Sequence, residues 1–86
     1  MAAPINEFLN VSIITPQSVL FEGKARSVIL PGERGFFEIL VNHKPLLSRM
    51  IAGALTIDGR VFPVRRGIIK VALNNVNAIV ETGPES

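Results

Sequence analysis

The chain has 86 residues, of which 48% are hydrophobic, and nine basic against seven acidic residues give a formal net charge of +2. This length suits one domain, residues 1–86, and a positive mean hydropathy in so small a protein favours a subunit whose surface is partly covered by partners. Scattered positive charges and the lack of Trp, Tyr and Cys argue against a nucleic-acid footprint, disulfides and thiolate chemistry. No apolar run approaches the roughly 18 residues of a membrane-spanning helix.

Residues able to carry catalysis are few. The sequence has one histidine, His43, and one aspartate, Asp58, and they lie in separate predicted turns. A Ser-His-Asp triad would have to use both, yet the chain has no G-x-S-x-G nucleophile elbow. Zinc ligands are too few, and no glycine-rich phosphate-binding motif occurs. We therefore predict a protein that is not an enzyme and has no catalytic, cofactor-binding or metal-binding residues.

The first part of the chain predicts short strands. Residues 1–7 are expected to form a flexible lead, without a signal or transit peptide. Apolar and polar residues alternate over 9–13, the period-2 pattern of a half-buried strand. The next predicted elements are a turn over 15–18, a strand over 19–21 closed by residues 22–24, and a β-branched strand over 25–30. Proline 31 is expected to end that strand.

Residues 31–45, PGERGFFEILVNHKP, form a loop and strand unlike the rest of the chain. Proline and glycine at 31–32 and Gly35 predict a chain reversal at Glu33 and Arg34. If 36–41 is a strand, Phe36 and Phe37 point to opposite faces, so one enters the core and the other stays exposed. An exposed aromatic beside charged residues is typical of a protein-binding surface.

The second half predicts further strands and turns. Residues 42–45 read as a turn, and 46–51 as extended, because this segment is too short for a stable helix despite helical spacing of its apolar residues. Asp58-Gly59 between 54–57 and 60–64 predicts a type I′ hairpin, and Pro63 predicts that its second arm is an edge strand. The remaining predictions are a turn at 66–67, a strand over 68–73, a reversal at 74–75, a strand over 76–80 and a polar tail over 83–86.

About nine or ten short strands without a convincing helix predict an all-β fold, an antiparallel β-sandwich or flattened barrel. Each strand buries one face in such a fold. The predicted core is Leu9, Val11, Ile13, Phe21, Val28, Leu30, Ile39, Leu55, Ile57, Val64, Ile69, Val71 and Val80.

Several segments, taken together, resemble the amino-terminal β-sandwich of the epsilon subunit of F-type ATP synthases. They are VSIITP at 11–16, LFEG at 20–23, LPGERG at 30–35, ILVNHKPLLS at 39–48, GALTI at 53–57 and GIIKVALN at 67–74. The resemblance implies a non-catalytic rotor subunit, without a cofactor, that binds the gamma shaft and sits on the polar loops of the membrane-embedded c-ring. It also implies a peripheral location at the cytoplasmic face of a bacterial inner membrane, as a monomer by itself.

The same resemblance assigns the contact residues. Those implied for the c-ring are Glu33, Arg34, Phe36, Glu38 and His43, and those implied for gamma are Leu46, Ser48 and Arg49. In the ring-contacting loop this chain has Phe36 for the family's usual acidic residue, Glu38 for a glycine, and Val41-Asn42 for Pro-Gly. Family members usually continue into a helical hairpin that restrains ATP hydrolysis. Because the sequence stops at Ser86, we expect this polypeptide to lack it.

A small β-barrel that binds single-stranded nucleic acid is the alternative. In that case Arg60, Arg65, Arg66 and Lys70 would contact the nucleic-acid backbone, and Phe62 would be a stacking platform. Such binding would fall steeply as salt rises, whereas a stalk subunit would co-purify with gamma.

Overall fold

The computed structural model describes residues 7–82, and within that range every regular element is a strand. The strands are β1 (Leu9–Ile14), β2 (Val19–Ala25), β3 (Ser27–Gly32), β4 (Gly35–Leu40), β5 (Leu46–Met50), β6 (Gly53–Ile57), β7 (Arg60–Val64), β8 (Arg66–Ala72) and β9 (Asn75–Glu81). This part of the chain accordingly offers no helix of the length and hydropathy that a membrane crossing requires. The predicted all-β class is confirmed, while the predicted lead and tail lie, apart from Glu7, outside the described residues.

The strands form two layers. Strands β2, β1, β9, β8 and β5 are hydrogen-bonded in that order and are called the β1 layer, and β4, β3, β6 and β7 are called the β3 layer. Among the described strands the ladder between the layers consists of one residue pair, Gly32 with Met50. The sheet folds over at this pair, and the buried side chains of both layers form one hydrophobic cluster. The arrangement is that of a β-sandwich.

One pairing departs from the predicted antiparallel order. Strands β1 and β9 run parallel, from Asn10 opposite Asn75 to Ile14 opposite Ile79. Turn residues fix the direction of strands that follow each other, but these two strands are far apart in the chain, so no turn signal records their direction.

The core matches the alternation in the sequence closely. Every predicted core residue is buried except Phe21, which is half-buried and packs against the cluster. The prediction missed four further buried hydrophobic residues: Ala25, Met50, Val76 and Ala78. Val76 and Ala78 alternate with Val80 along β9, so all three side chains lie on its buried face, whereas the predicted core included only Val80.

Three predicted boundaries are wrong. Pro31 does not end β3, because proline lacks only the N–H and its carbonyl still accepts a hydrogen bond from the Ile51 N–H at 2.9 Å. Strand β2 continues through residues 22–24 to Ala25, paired with β1. Gly67 lies inside β8 rather than in a turn, and a Cβ there would come within 2.7 Å of the Ile79 carbonyl oxygen. The close approach of β9 therefore requires glycine at this position.

The β8–β9 reversal is formed by Leu73 and Asn74, one residue earlier than predicted, with φ of 51° and 62°. Leucine is a poor residue for the left-handed region, which is why composition pointed to the two asparagines instead. Other predictions in this half are confirmed. Strand β5 is extended, Asp58 and Gly59 have φ of 47° and 86° in the hairpin turn, and β7, which contains Pro63, is an edge strand.

The Asp58 carboxylate ties the β6–β7 hairpin to the start of β3. Its Oδ1 accepts hydrogen bonds from the Arg26 and Ser27 N–H groups, each at 2.9 Å, and the Asp58 N–H donates to the Ser27 carbonyl oxygen at 3.1 Å. The contact joins residues more than thirty positions apart in sequence. Asp58 therefore has a structural role in addition to forming the turn.

We predict that Asp58→Gly lowers the free energy of unfolding by about 1–2 kcal/mol, because it keeps the positive φ but removes the acceptor of two backbone N–H groups. Asp58→Asn, which retains one acceptor oxygen, should lose about half as much. Urea unfolding followed by circular dichroism measures both. Equal stability of Asp58→Gly and the unmodified chain would contradict this role.

Candidate partner-binding surfaces

An open groove of about 410 Å³ lies beside the β3–β4 hairpin. Its walls are the hairpin turn, the start of β4, the β4–β5 connection and β5, and it is called the hairpin groove. It brings together most of the predicted contact residues: Glu33, Arg34, Phe36, His43, Leu46 and Ser48. Four of the five residues implied for the c-ring, all but Glu38, therefore share one surface with two of those implied for gamma.

The two adjacent phenylalanines divide as predicted. Phe37 is half-buried and packs against the core, where its ring approaches within 2.7 Å of the position that a Cβ on Gly32 would occupy. Phe36 is 64% exposed and lies opposite Pro31 in the ladder, with its ring tip near Gly53. Phe37 therefore belongs to the core, while Phe36 places an aromatic ring at the surface, where a partner could contact it.

Charged side chains occupy the tip of the hairpin. Glu33 and Arg34 are exposed in the turn between Gly32 and Gly35, and Gly35 has φ of 122°. Within residues 7–82 neither side chain is in an ion pair, since the one salt bridge found there joins Arg66 to Glu81. Glu38 lies apart from the groove, on the exposed face of β4, where it accepts a hydrogen bond from the Ser27 hydroxyl at 2.5 Å.

His43 is half-buried in the β4–β5 connection. Its N–H donates to the Leu40 carbonyl oxygen at 3.1 Å, and its Nδ1 lies 2.7 Å from the Lys44 carbonyl oxygen. Because a carbonyl oxygen only accepts, Nδ1 is the donor in this contact, and Nε2 is left for another partner. The preceding residue, Asn42, has φ of 68°, a left-handed conformation that asparagine tolerates.

Arg49 lies on a second surface, the outer face of the β1 layer. Side chains alternate along β5, so Leu46 and Ser48 line the hairpin groove while Arg49 points to the other side. The three residues implied for gamma are therefore not on one face. Arg49 instead borders an open apolar groove of about 770 Å³ that includes Ile51 and Ile68.

Isoleucines form a row across this outer face. Arg49 is opposite Ile68, Ile68 is opposite Ile79, and Ile79 is opposite Ile14 in successive ladders. Ile68 and Ile79 are 54% and 57% exposed. Ile14, Ile68 and Ile79, together with Ile51, are called the isoleucine face. This face was not predicted, although the pairs Ile68-Ile69 and Ile79-Val80 indicate it, because two adjacent apolar residues in a strand place one side chain on each face.

Polar groups surround the isoleucine face. Arg66 and Glu81 form an exposed ion pair at 2.9 Å, and the Arg65 N–H donates to the Glu81 carbonyl oxygen at 2.8 Å. An exposed pair of this kind contributes little to stability, about 0–1 kcal/mol. An apolar centre with a charged margin is the usual anatomy of a protein–protein interface.

The residues of the nucleic-acid alternative are not brought together. Arg60 lies on β7 in the β3 layer, whereas Arg66 and Lys70 lie on β8 in the β1 layer. The Arg60 guanidinium stacks at 5.4 Å from the centre of the Phe62 ring, which is itself half-buried and in edge contact with Phe21. The ring proposed as a stacking platform is therefore occupied by contacts within the chain.

In the part of the chain that the structure describes, three or more His, Cys, Asp or Glu side chains nowhere converge as metal ligands. The contacts that the two surfaces offer are an exposed aromatic ring, charged groups at a hairpin tip, one imidazole nitrogen and a row of aliphatic side chains. Such groups suit binding to other proteins.

Comparison with known proteins gives a consistent family. The β-sandwich domain of the ATP synthase delta/epsilon chain matches residues 8–84. The ATP synthase epsilon chain of Leptospira borgpetersenii is 38% identical over 79 residues, covering 87% of this chain and 62% of that protein. The epsilon chain of Rickettsia felis is 39% identical over 85 residues, covering 91% of this chain and 76% of that protein. The chain thus spans less than two thirds of the length of the Leptospira relative.

Solved structures share the fold. A chain in the Euglena gracilis mitochondrial ATP synthase matches with a TM-score of 0.83 at 11% identity, covering 93% of this chain and 54% of that chain. A chain in the Tetrahymena thermophila mitochondrial ATP synthase, in a structure of its central stalk and c-ring, matches with a TM-score of 0.74 at 15% identity, covering 86% of this chain and 63% of that chain.

We predict that Phe36→Ala and Phe37→Ala differ in their effect on the free energy of unfolding. Phe37→Ala should lower the free energy of unfolding by about 2–4 kcal/mol, because it empties part of the core. Phe36→Ala should cost less than about 1 kcal/mol, because most of its ring is already in water. Urea unfolding of both variants tests the contrast, and a larger loss for Phe36→Ala would mark that ring as core instead.

Proposed function

The chain belongs to the β-sandwich family of ATP synthase delta and epsilon chains, and on that premise we propose that it is a non-catalytic central-stalk subunit of an F-type ATP synthase. Acting as a single domain, it would couple the c-ring to the gamma shaft at the cytoplasmic face of a bacterial membrane, without entering the lipid. The observation that carries this proposal is the presence of two open grooves, which meet at Glu33, on one close-packed core.

The hairpin groove is the proposed contact with the c-ring. Glu33 and Arg34 give the hairpin tip both signs of charge, which suits the polar loops of a ring subunit. Phe36 adds an exposed aromatic anchor, and His43 adds an imidazole nitrogen. Glu38 is assigned to the margin of this contact, because its carboxylate is hydrogen-bonded to Ser27.

The isoleucine face is the proposed contact with gamma. Ile68 and Ile79 supply apolar area that water covers in the isolated chain, and Arg49 supplies a charge at one end of the row. Strand β5 carries Arg49 on this side and Leu46 and Ser48 on the groove side. The residues implied for gamma by resemblance therefore lie on a strand that borders both proposed contacts.

Stiffness is the physical property that the proposed role requires. The buried side chains of both layers form one cluster, and a close-packed interior resists deformation. Displacement of one surface is then transmitted to the other without any reacting group.

The test is a binding assay with the gamma subunit and, separately, with the detergent-solubilised c-ring of the same complex. We predict that Ile68→Asp weakens gamma binding at least about tenfold, close to 1.4 kcal/mol, because a carboxylate in an apolar contact loses its hydration. Ring binding should be unchanged. Surface plasmon resonance with immobilised gamma measures the affinity.

Val61→Asp is the matched control. Val61 is 62% exposed, similar to Ile68, but it lies on β7 in the β3 layer and outside both surfaces. This variant introduces the same charge and should bind gamma like the unmodified chain. Equal weakening by the two variants, or no weakening by Ile68→Asp, would overturn the assignment of gamma to the isoleucine face.

A further inference from the structure

The β4–β5 connection, residues 41–45, crosses from the β3 layer to the β1 layer and includes His43. Its last three residues have no regular structure, and Asn42 is held in the left-handed region with φ of 68°. The His43 N–H donates a hydrogen bond to the Leu40 carbonyl oxygen, which is a local contact within the turn. Val41 packs against the core, and a polar contact from another part of the chain restrains the connection further.

Asn74 provides that contact from the β8–β9 turn. Its Oδ1 accepts a hydrogen bond from the Asn42 N–H at 2.6 Å, and its Nδ2 donates to Asn42 Oδ1 at 3.1 Å. The Asn74 carbonyl oxygen accepts from the Asn10 N–H at 2.8 Å. Asn74 is only 7% exposed, so both side-chain bonds are largely shielded from competing water.

The two asparagines are matched to each other. Each has a positive φ, 68° at Asn42 and 62° at Asn74, which asparagine tolerates better than other side chains. Glycine at position 42 would keep that backbone conformation but would offer no oxygen to Asn74 Nδ2. The side chain at 42 therefore adds one link between the layers that a glycine would not make.

We propose that Asn74 is a positioning residue for the ring contact. Through its paired bonds with Asn42 it fixes the connection to the β1 layer and so holds His43 at the hairpin groove beside Glu33 and Phe36. The inference rests on the proposed function, because it assigns the hairpin groove to the c-ring. Asn74 itself does not line that groove.

Asn74→Gly tests the proposal in the full chain, because it keeps the positive φ and removes both side-chain bonds. We expect hydrogen exchange at the Asn42 amide to accelerate about tenfold more than exchange at core amides. The His43 resonances should shift, and affinity for the c-ring should fall about tenfold. Asn74→Asp, which keeps the acceptor and loses the donor, should lie between Asn74→Gly and the unmodified chain.

Two controls separate positioning from general destabilisation. Val76→Ala weakens the core without touching Asn42, and Asn75→Ala removes a neighbouring exposed asparagine that does not bond to the connection. Both should bind the c-ring like the unmodified chain under conditions where all variants are folded. If Val76→Ala loses as much ring affinity as Asn74→Gly, the role of Asn74 is only structural and the proposal is overturned.

The outcomes also separate this inference from the function it rests on. If Asn74→Gly leaves Asn42 exchange and the His43 resonances unchanged, the positioning role is wrong even if the chain binds the c-ring. If the unmodified chain does not bind the c-ring, the proposed ring contact is wrong, and the claim that Asn74 positions His43 for it falls too. Accelerated Asn42 exchange would then show only that the paired amides hold the connection.

Discussion

Strand β3 is the element on which the arrangement of this chain depends, because it pairs with three other strands. One of its edges pairs with β4 along the whole strand, while the other pairs first with β6 and then, at Gly32, with β5. A strand that changes partner along one edge forces the sheet to bend, and the bend brings the two apolar inner faces together. Gly32 lies at this point, where the Phe37 ring leaves no room for a Cβ. Sheet folding and aromatic packing therefore depend on the same residue.

The two candidate surfaces follow from that bend. The β3–β4 hairpin and the β4–β5 connection meet β5 on one side of the fold, which gathers Phe36 and His43 into one groove. On the other side the outer face of the β1 layer is left without a covering element within residues 7–82, and Ile68 and Ile79 are exposed there. An 86-residue chain that is 48% hydrophobic has more apolar residues than its core uses. The surplus lies on surfaces suited to other proteins.

Local signals in the sequence predicted most of the fold. Alternation identified the buried faces, and Asp58-Gly59 identified a hairpin, because both signals depend only on neighbouring residues. The parallel pairing of β1 with β9 depends on residues far apart in the chain and left no local trace. The same holds for the bonds between Asn42 and Asn74, thirty-two positions apart. The residues of the hairpin groove were predicted from a family resemblance. The isoleucine face was not, because predicting it requires knowing which strands are neighbours.

The parallel pairing of β1 and β9 has a mechanical consequence. Leu9 and Glu81 lie at opposite ends of these adjacent strands, since Asn10 is opposite Asn75 and Ile14 is opposite Ile79. Tension that draws Leu9 and Glu81 apart therefore acts along the strands, so the hydrogen bonds between them are strained together in shear. A hairpin pulled open at its free ends yields instead by unzipping, one pair after another. Along this axis the β1 layer resists rupture through the combined strength of the whole ladder.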